Sequence, residues 1–206
     1  MELKRAIVER ASVRAFKTDP VPVEDLRELV RLAGRAPSVN NMQPWKYIAV
    51  LRPELKRSMV EAVRRRVQPL LAEEGLTGGE RYEALLHNCT FFGDAPAVLA
   101  VATRTYQAIL DKAVERVMHV DCHELRGHGD EAALGASIQS LLLAATDMGY
   151  GTHWMTGPLV ARPELEQMLS IEPPWRLGAL IALGRPSHVH EQSDKLPIDE
   201  IFEIRQ

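Results

Sequence analysis

A chain of 206 residues, 46% apolar and 26% charged, suits one globular domain, long enough to bury roughly 70% of its unfolded surface. With 25 Lys and Arg against 28 Asp and Glu, a formal net charge of −3, the field is weak and gives no reason to expect a nucleic-acid or membrane partner. Two cysteines without a CxxC spacing fit a reducing compartment, the charged N-terminus lacks the apolar stretch of a signal peptide, and no run reaches the ~18 apolar residues of a spanning helix, so the expected location is the cytoplasm.

In chain order, "ELKRAIVERA" places Leu3, Ala6, Ile7 and Ala11 on one helical stripe, and "SVRAF" alternates as a short extended piece. A clearer helix follows in "VPVEDLRELVRLAGRAPS", opened by Pro22, with Glu24 and Asp25 in its first turn, an apolar face of Leu26, Leu29, Val30 and Ala33, and an end at Pro37. "KYIAVL" reads as a strand. The next helix runs from Pro53 to about Leu71; Leu55, Met59, Val63 and Val67 recur every four residues, which makes Arg64, Arg65 and Arg66 a solvated face.

After the glycine-broken "EEGLTGGE", residues 80–92 read as helical and "AVLAVAT" as a strand covered on both faces. Residues 104–129 are harder to read. A long helix, "DEAALGASIQSLLLAATDMG", stops at Gly149-Tyr150-Gly151; "THWMTG" is extended, "RPELEQMLSI" a short helix, and "LGALIAL" a second two-sided strand. Helices alternating with strands predict a mixed α/β or α+β layer fold in one domain, 1–206. The tail, about residues 186–206, carries Ile198, Ile201, Phe202 and Ile204, which must dock on this subunit or another.

Three stretches suggest chemistry. In "RASVRAF", Arg10, Ser12 and Arg14 alternate, so an extended backbone sends two guanidinium forks and a hydroxyl to one side, a set suited to phosphate. Alternatively, Arg10 caps a helix and Arg14 faces solvent. "APSVNNMQPWKY" crowds amides into an elbow: a turn needs one residue tolerant of positive φ, Asn40 or Asn41, and Pro44 should push Gln43 towards an extended shape. Small residues in "THWMTGP" leave backbone N–H groups accessible to a flat ligand, but the lone GxG of Gly149 and Gly151 lacks the third glycine of GxGxxG, whose place Trp154 takes, so no tightly held dinucleotide is expected. His119, Cys122, His123 and His128 match no standard zinc spacing, and no metal is expected.

Taken in this order, "RASVRAF", "APSVNNMQPW", "LLLAATDMGYGTHWMTGP", "ALIALGRP" and "DKLP" give the chain a resemblance to the FMN-dependent nitroreductases along nearly its whole length. The resemblance implies an α+β, three-layer α/β/α sandwich with a central, mostly antiparallel sheet, in an entwined homodimer with FMN at the subunit interface. It implies that Pro37, Ser38 and Asn41 reach the flavin from one subunit, with Gln43 securing the turn or the flavin edge. Arg10, Ser12 and Arg14 would hold the phosphate and ribityl chain from the other subunit, with Lys195 from the tail and Arg185 as a further phosphate ligand. Met155, Thr156 and Gly157 would run beside the isoalloxazine. Where many relatives have two basic tail residues, Ser193 and Asp194 precede a single Lys195.

The implied activity is hydride transfer from NADH or NADPH, a visiting donor, through FMN to a nitroaromatic, quinone or similar small-molecule acceptor in a ping-pong cycle, with no acid, base or nucleophile assigned. Specialised flavin chemistry such as dehydrogenation or dehalogenation, and a non-catalytic flavin-binding sensor, are the alternatives.

Overall fold

The computed structural model describes residues 2–188, 192 and 194–205. Four strands, β1 (Trp45–Val50), β2 (Ala97–Arg104), β3 (Gly151–Met155) and β4 (Trp175–Gly184), form one sheet in the order β1-β2-β4-β3, every neighbouring pair antiparallel. The helices are α1 (Leu3–Glu9), α2 (Val23–Ala33), α3 (Pro53–Glu73), α4 (Glu80–Thr90), α5 (Ile109–Met118), α6 (Cys122–Arg126), α7 (Gly129–Asp147), α8 (Arg162–Leu169) and α9 (Ile198–Ile201).

Strand alternation sorts the apolar residues into two cores. Val98, Ala100 and Ala102 of β2 join Met59, Val63 and Val67 of α3 and Phe91 and Phe92 on one side of the sheet. Ala97, Leu99 and Val101 join Leu26 and Leu29 of α2 and Ile138, Leu141 and Ala145 of α7 on the other. The central strands β2 and β4 are therefore covered on both faces, as their unbroken apolar runs require. The result is a three-layer α/β/α sandwich.

A bulge changes the phase of β4. Ala102 pairs with Leu177 and Val101 with Ala179, so Gly178 is the extra residue, and Leu177 and Leu180 face the same core. Glycine fits because a Cβ there would lie 2.6 Å from Cδ2 of Leu134.

Four expectations need correction. Leu3 and Ile7 are 67% and 50% exposed although Ala6 and Ala11 of the same stripe are buried. Helix α2 stops at Ala33, capped at Gly34 rather than running to Pro37, because the chain must turn into the elbow. Helix α3 continues through Pro69 to Glu73. Residues 104–129, unassigned from the sequence, contain the short helices α5 and α6; α5 is amphipathic, yet its apolar residues Ile109, Val117 and Met118 are exposed and none is buried. The Arg64–Arg66 face is largely solvated, with Arg66 paired to Glu164 of α8.

Candidate functional site

The elbow packs its amides against each other. Asn40, Asn41 and Gln43 all take positive φ, at 49°, 55° and 47°. Such residues each cost on the order of 1–3 kcal/mol and persist only where their surroundings hold them. Here Ser38 Oγ accepts the Gln43 N–H at 2.9 Å, and Gln43 Nε2 donates to Asn41 Oδ1 at 3.2 Å. Asn40 Nδ2 donates to the Tyr106 hydroxyl at 2.7 Å, and Thr103 Oγ1 donates to the Pro44 carbonyl at 2.8 Å. The expectation that Pro44 makes Gln43 extended is overturned: these bonds outweigh the steric preference before proline. Ser38 and Gln43 thus secure the turn, while the exposed Asn41 has its carbonyl oxygen occupied and its amide N–H groups left to offer outward. Pro37 is exposed beside them.

The phosphate-type triad sits at the opposite edge of the sheet. Ser12 forms a parallel bridge with Thr152 of β3, and the Val13 N–H donates to the Thr152 carbonyl at 2.9 Å. Ala11 and Val13 are buried while Ser12 and Arg14 are exposed, so the alternation expected of an extended segment is present. Arg10 ends α1, its carbonyl accepting Gln192 Nε2 at 2.5 Å. That bond brings the tail to the triad, and the exposed Lys195 follows three residues later, within ~10 Å of extended chain. Ser193 lies outside the described residues.

At the far end of β3, Met155 points into the core, so only its backbone faces outward, whereas Thr156 and Gly157 are exposed. At Gly151 a Cβ would meet Val13 Cγ2 at 2.6 Å, so its small size admits the triad's own strand. Gly151→Ala should therefore cost about 1–3 kcal/mol through overpacking, seen as a lower denaturant midpoint. An unchanged midpoint would mean that Val13 moves freely and the triad is not held there. Arg185 is engaged elsewhere, donating to the Met148 and Gly149 carbonyls at 3.2 Å and stacking 4.6 Å over the Tyr150 ring. It closes the C-terminus of α7, the structural role that residue type often has.

His153, which the sequence did not single out, lies between these groups. Its ring stands edge-on to Phe91 at 4.9 Å, its Nδ1 is buried with no hydrogen-bond partner among the described residues, and burial together with nearby Arg14 lowers its pKa to about 4. The folded state thus holds the neutral ring. Between pH 6.5 and about 4 the unfolded chain binds a proton that the folded chain refuses, so this contribution to stability is complete above pH 6.5 and is lost as pH falls through that window. His153→Phe should flatten the fall of Tm between those pH values. An identical slope in the variant would refute it.

Of the suspected metal residues, Cys122 and His123, joined by Asp121, which was not among them, bring one donor atom each within 4.8 Å of one another. Local contacts already use them. Asp121 Oδ1 caps α6 by accepting the His123 N–H at 2.8 Å, Cys122 is buried beside Glu115, and His123 stacks on His128 with ring centres 4.2 Å apart. His119 instead ends α5 in a left-handed conformation.

The cationic triad, bridged beside β3, and the carboxamide elbow, before β1, stand at opposite edges of one antiparallel sheet in an α+β fold, about four strand spacings, ~19 Å, apart across the sheet. The sequence matches the Nitroreductase family over residues 7–185, and the chain belongs to that family. It is 29% identical over 220 residues to the NADH dehydrogenase of Thermus thermophilus, covering 98% of this chain and 95% of that protein. Among solved structures it resembles a BluB-like flavoprotein from Clostridium difficile (29% identity, TM-score 0.90, all of both chains). It also resembles a nitroreductase with bound FMN from Desulfitobacterium hafniense (22% identity, TM-score 0.75, all of both chains). Among the described residues no helix is long and apolar enough to cross a membrane.

Proposed function

We propose that this chain is an FMN oxidoreductase that takes hydride from NADH or NADPH and delivers it to a nitroaromatic, quinone or similar electron-poor molecule. The observation that carries the reading is the separation of the triad Arg10, Ser12 and Arg14 from the elbow by the full width of the sheet. Two copies of the chain, each giving one edge, would complete two sites.

The residues fit the group. Two guanidinium forks flanking a hydroxyl match a phosphate and the start of a ribityl chain, and the outward amide N–H groups of Asn41 match a carbonyl on a pyrimidine edge. Lys195 adds a third cation. Arg185, held by Met148 and Gly149, supports the β3 turn rather than the phosphate. Backbone at the exposed Thr156 and Gly157 would border the ring, where small residues let a flat group approach. FMN itself supplies two-electron chemistry, accepting and releasing hydride at N5. The protein's part is to grip, orient and shield it, with no side chain assigned to proton transfer.

Family membership, the name of the Thermus relative and the FMN bound in the Desulfitobacterium protein support this cofactor and donor. Association is supported by the surface. Leu196, Ile198, Ile201, Phe202 and Ile204 are each more than 60% exposed. The unpaired edge of β1 borders an apolar groove of about 600 Å³ bounded by Val23, Leu26, Val30, Tyr47 and Leu99, which the partner's tail would cover.

The test is an absorption spectrum of the purified protein before and after anaerobic NADH and NADPH, then a panel of acceptors. Bleaching of a flavin spectrum, reversed by an acceptor, with parallel double-reciprocal plots is expected. A colourless protein indifferent to added FMN would overturn the proposal.

A further inference from the structure

Behind the elbow lies a second pocket, of about 210 Å³, that none of the roles above uses. Its wall includes Trp154 of β3, Leu134 of α7 and the bulge residue Gly178, and it carries Arg162, Arg176 and Glu131. Thr103 joins it to the elbow through the hydrogen bond to the Pro44 carbonyl, and Trp154 is two residues before Thr156. The pocket therefore lies between the carboxamide turn and the end of β3.

Its charge is unbalanced. Arg176 donates to Glu131 at 2.7 Å, but the Nε of Arg162 is buried and has no hydrogen-bond partner among the described residues. Two guanidinium groups against one carboxylate leave a local excess of one positive charge in a chain whose formal net charge is −3. Nearby, Arg104 stacks 5.1 Å over Trp175 with its own Nε buried and unpartnered. A guanidinium donor shut away from water without an acceptor is costly, and a planar anion is the partner its geometry matches best.

We propose that this pocket is an anion subsite that takes the carboxylate or phosphate of a flat small molecule, with Arg162 as the principal donor and Trp154 as the aromatic wall. The proposal rests on the oxidoreductase reading only for the source of the anion, which is either a carboxylate on the electron acceptor or a phosphate of the nicotinamide donor.

The experiment has a binding arm and a kinetic arm. In calorimetric titrations of the purified, FMN-supplemented protein with benzoate and with inorganic phosphate, Arg162→Gln should weaken binding about tenfold or more, the loss of one charge-assisted hydrogen bond. Glu131→Gln, at a half-exposed position where folding is not at stake, should tighten it by removing the competing carboxylate. In steady state, a rise in KM confined to 4-nitrobenzoate and absent for nitrobenzene assigns the anion to the acceptor. A rise confined to NADH and NADPH assigns it to the donor. Unchanged binding in both variants, or equal effects on nitrobenzene and 4-nitrobenzoate with none on the donors, overturns the subsite. Because the titration needs no turnover, Arg162-dependent binding to an inactive protein would refute the oxidoreductase reading and leave the subsite standing.

Discussion

Replacing Arg10 and Arg14 together by alanine should yield a protein that purifies without FMN and binds added FMN at least about a hundredfold more weakly than the parent. Each guanidinium offers charge-assisted hydrogen bonds worth about 1.5–3 kcal/mol, and two such losses exceed the ~2.7 kcal/mol that a hundredfold change represents. The fold should survive, because both side chains project from a segment anchored by its other face: Ala11 and Val13 are buried, and Val13 is hydrogen-bonded to Thr152. Arg14→Ala alone should weaken binding about tenfold, and more at low salt, since screening reduces the attraction in both proteins. Flavin fluorescence titration measures both. A double variant that still carries one FMN per chain would show that these arginines are solvent-facing residues and that the phosphate is held elsewhere.

The second large effect concerns the tail. Deleting residues 196–206 should turn a dimer into a monomer at micromolar concentration and abolish FMN retention even though Arg10, Ser12 and Arg14 remain. Five side chains, Leu196, Ile198, Ile201, Phe202 and Ile204, stand in water on the isolated chain. Burial of a large apolar side chain stabilises by roughly 1.5–3 kcal/mol, so losing even three of these contacts per tail changes the dimer dissociation constant by several orders of magnitude. Light scattering after gel filtration reads the mass directly. If the truncated protein stays dimeric and yellow, the tail is not the clasp, and the exposed apolar residues Leu3, Ile7 and Val8 of α1 and the groove beside β1 are the surfaces left to carry the association.

The two variants separate causes that a simple loss of activity would merge. Loss of FMN with an intact dimer locates the defect at the triad, whereas loss of both locates it in assembly. Gly151→Ala lies between them. It removes no ligand group but pushes Val13 off β3, so it should weaken FMN through misplacement of Ser12 and Arg14 as well as lowering stability.

Much of this was readable without coordinates because the signals are local. The period of α2 and α3, the two-sided runs of β2 and β4, and the alternation of Arg10, Ser12 and Arg14 depend only on residues a few positions apart. The segment 104–129 is harder to read because the apolar side of α5 meets none of this chain's core: its Ile109, Val117 and Met118 stay exposed. The ionisation of His153 is not legible in the sequence because it comes from burial, in part against Phe91, and from the charge of Arg14, both far from it along the chain.

From residue order alone came the layered α+β class, the family resemblance, the phosphate-type triad and an elbow that needs left-handed backbone. Side-chain period and backbone tolerance are properties of neighbours along the chain, which is why they could be read. Only the folded chain placed the triad and the elbow at opposite edges of the sheet, gave Gln43 its positive φ against the pull of Pro44, spent Gly151 on Val13, tied Arg185 to the end of α7, and gathered Arg162, Arg176 and Trp154 around one pocket. Each of those outcomes is a contact between segments distant in sequence, and such contacts are set by how layers pack rather than by local pattern.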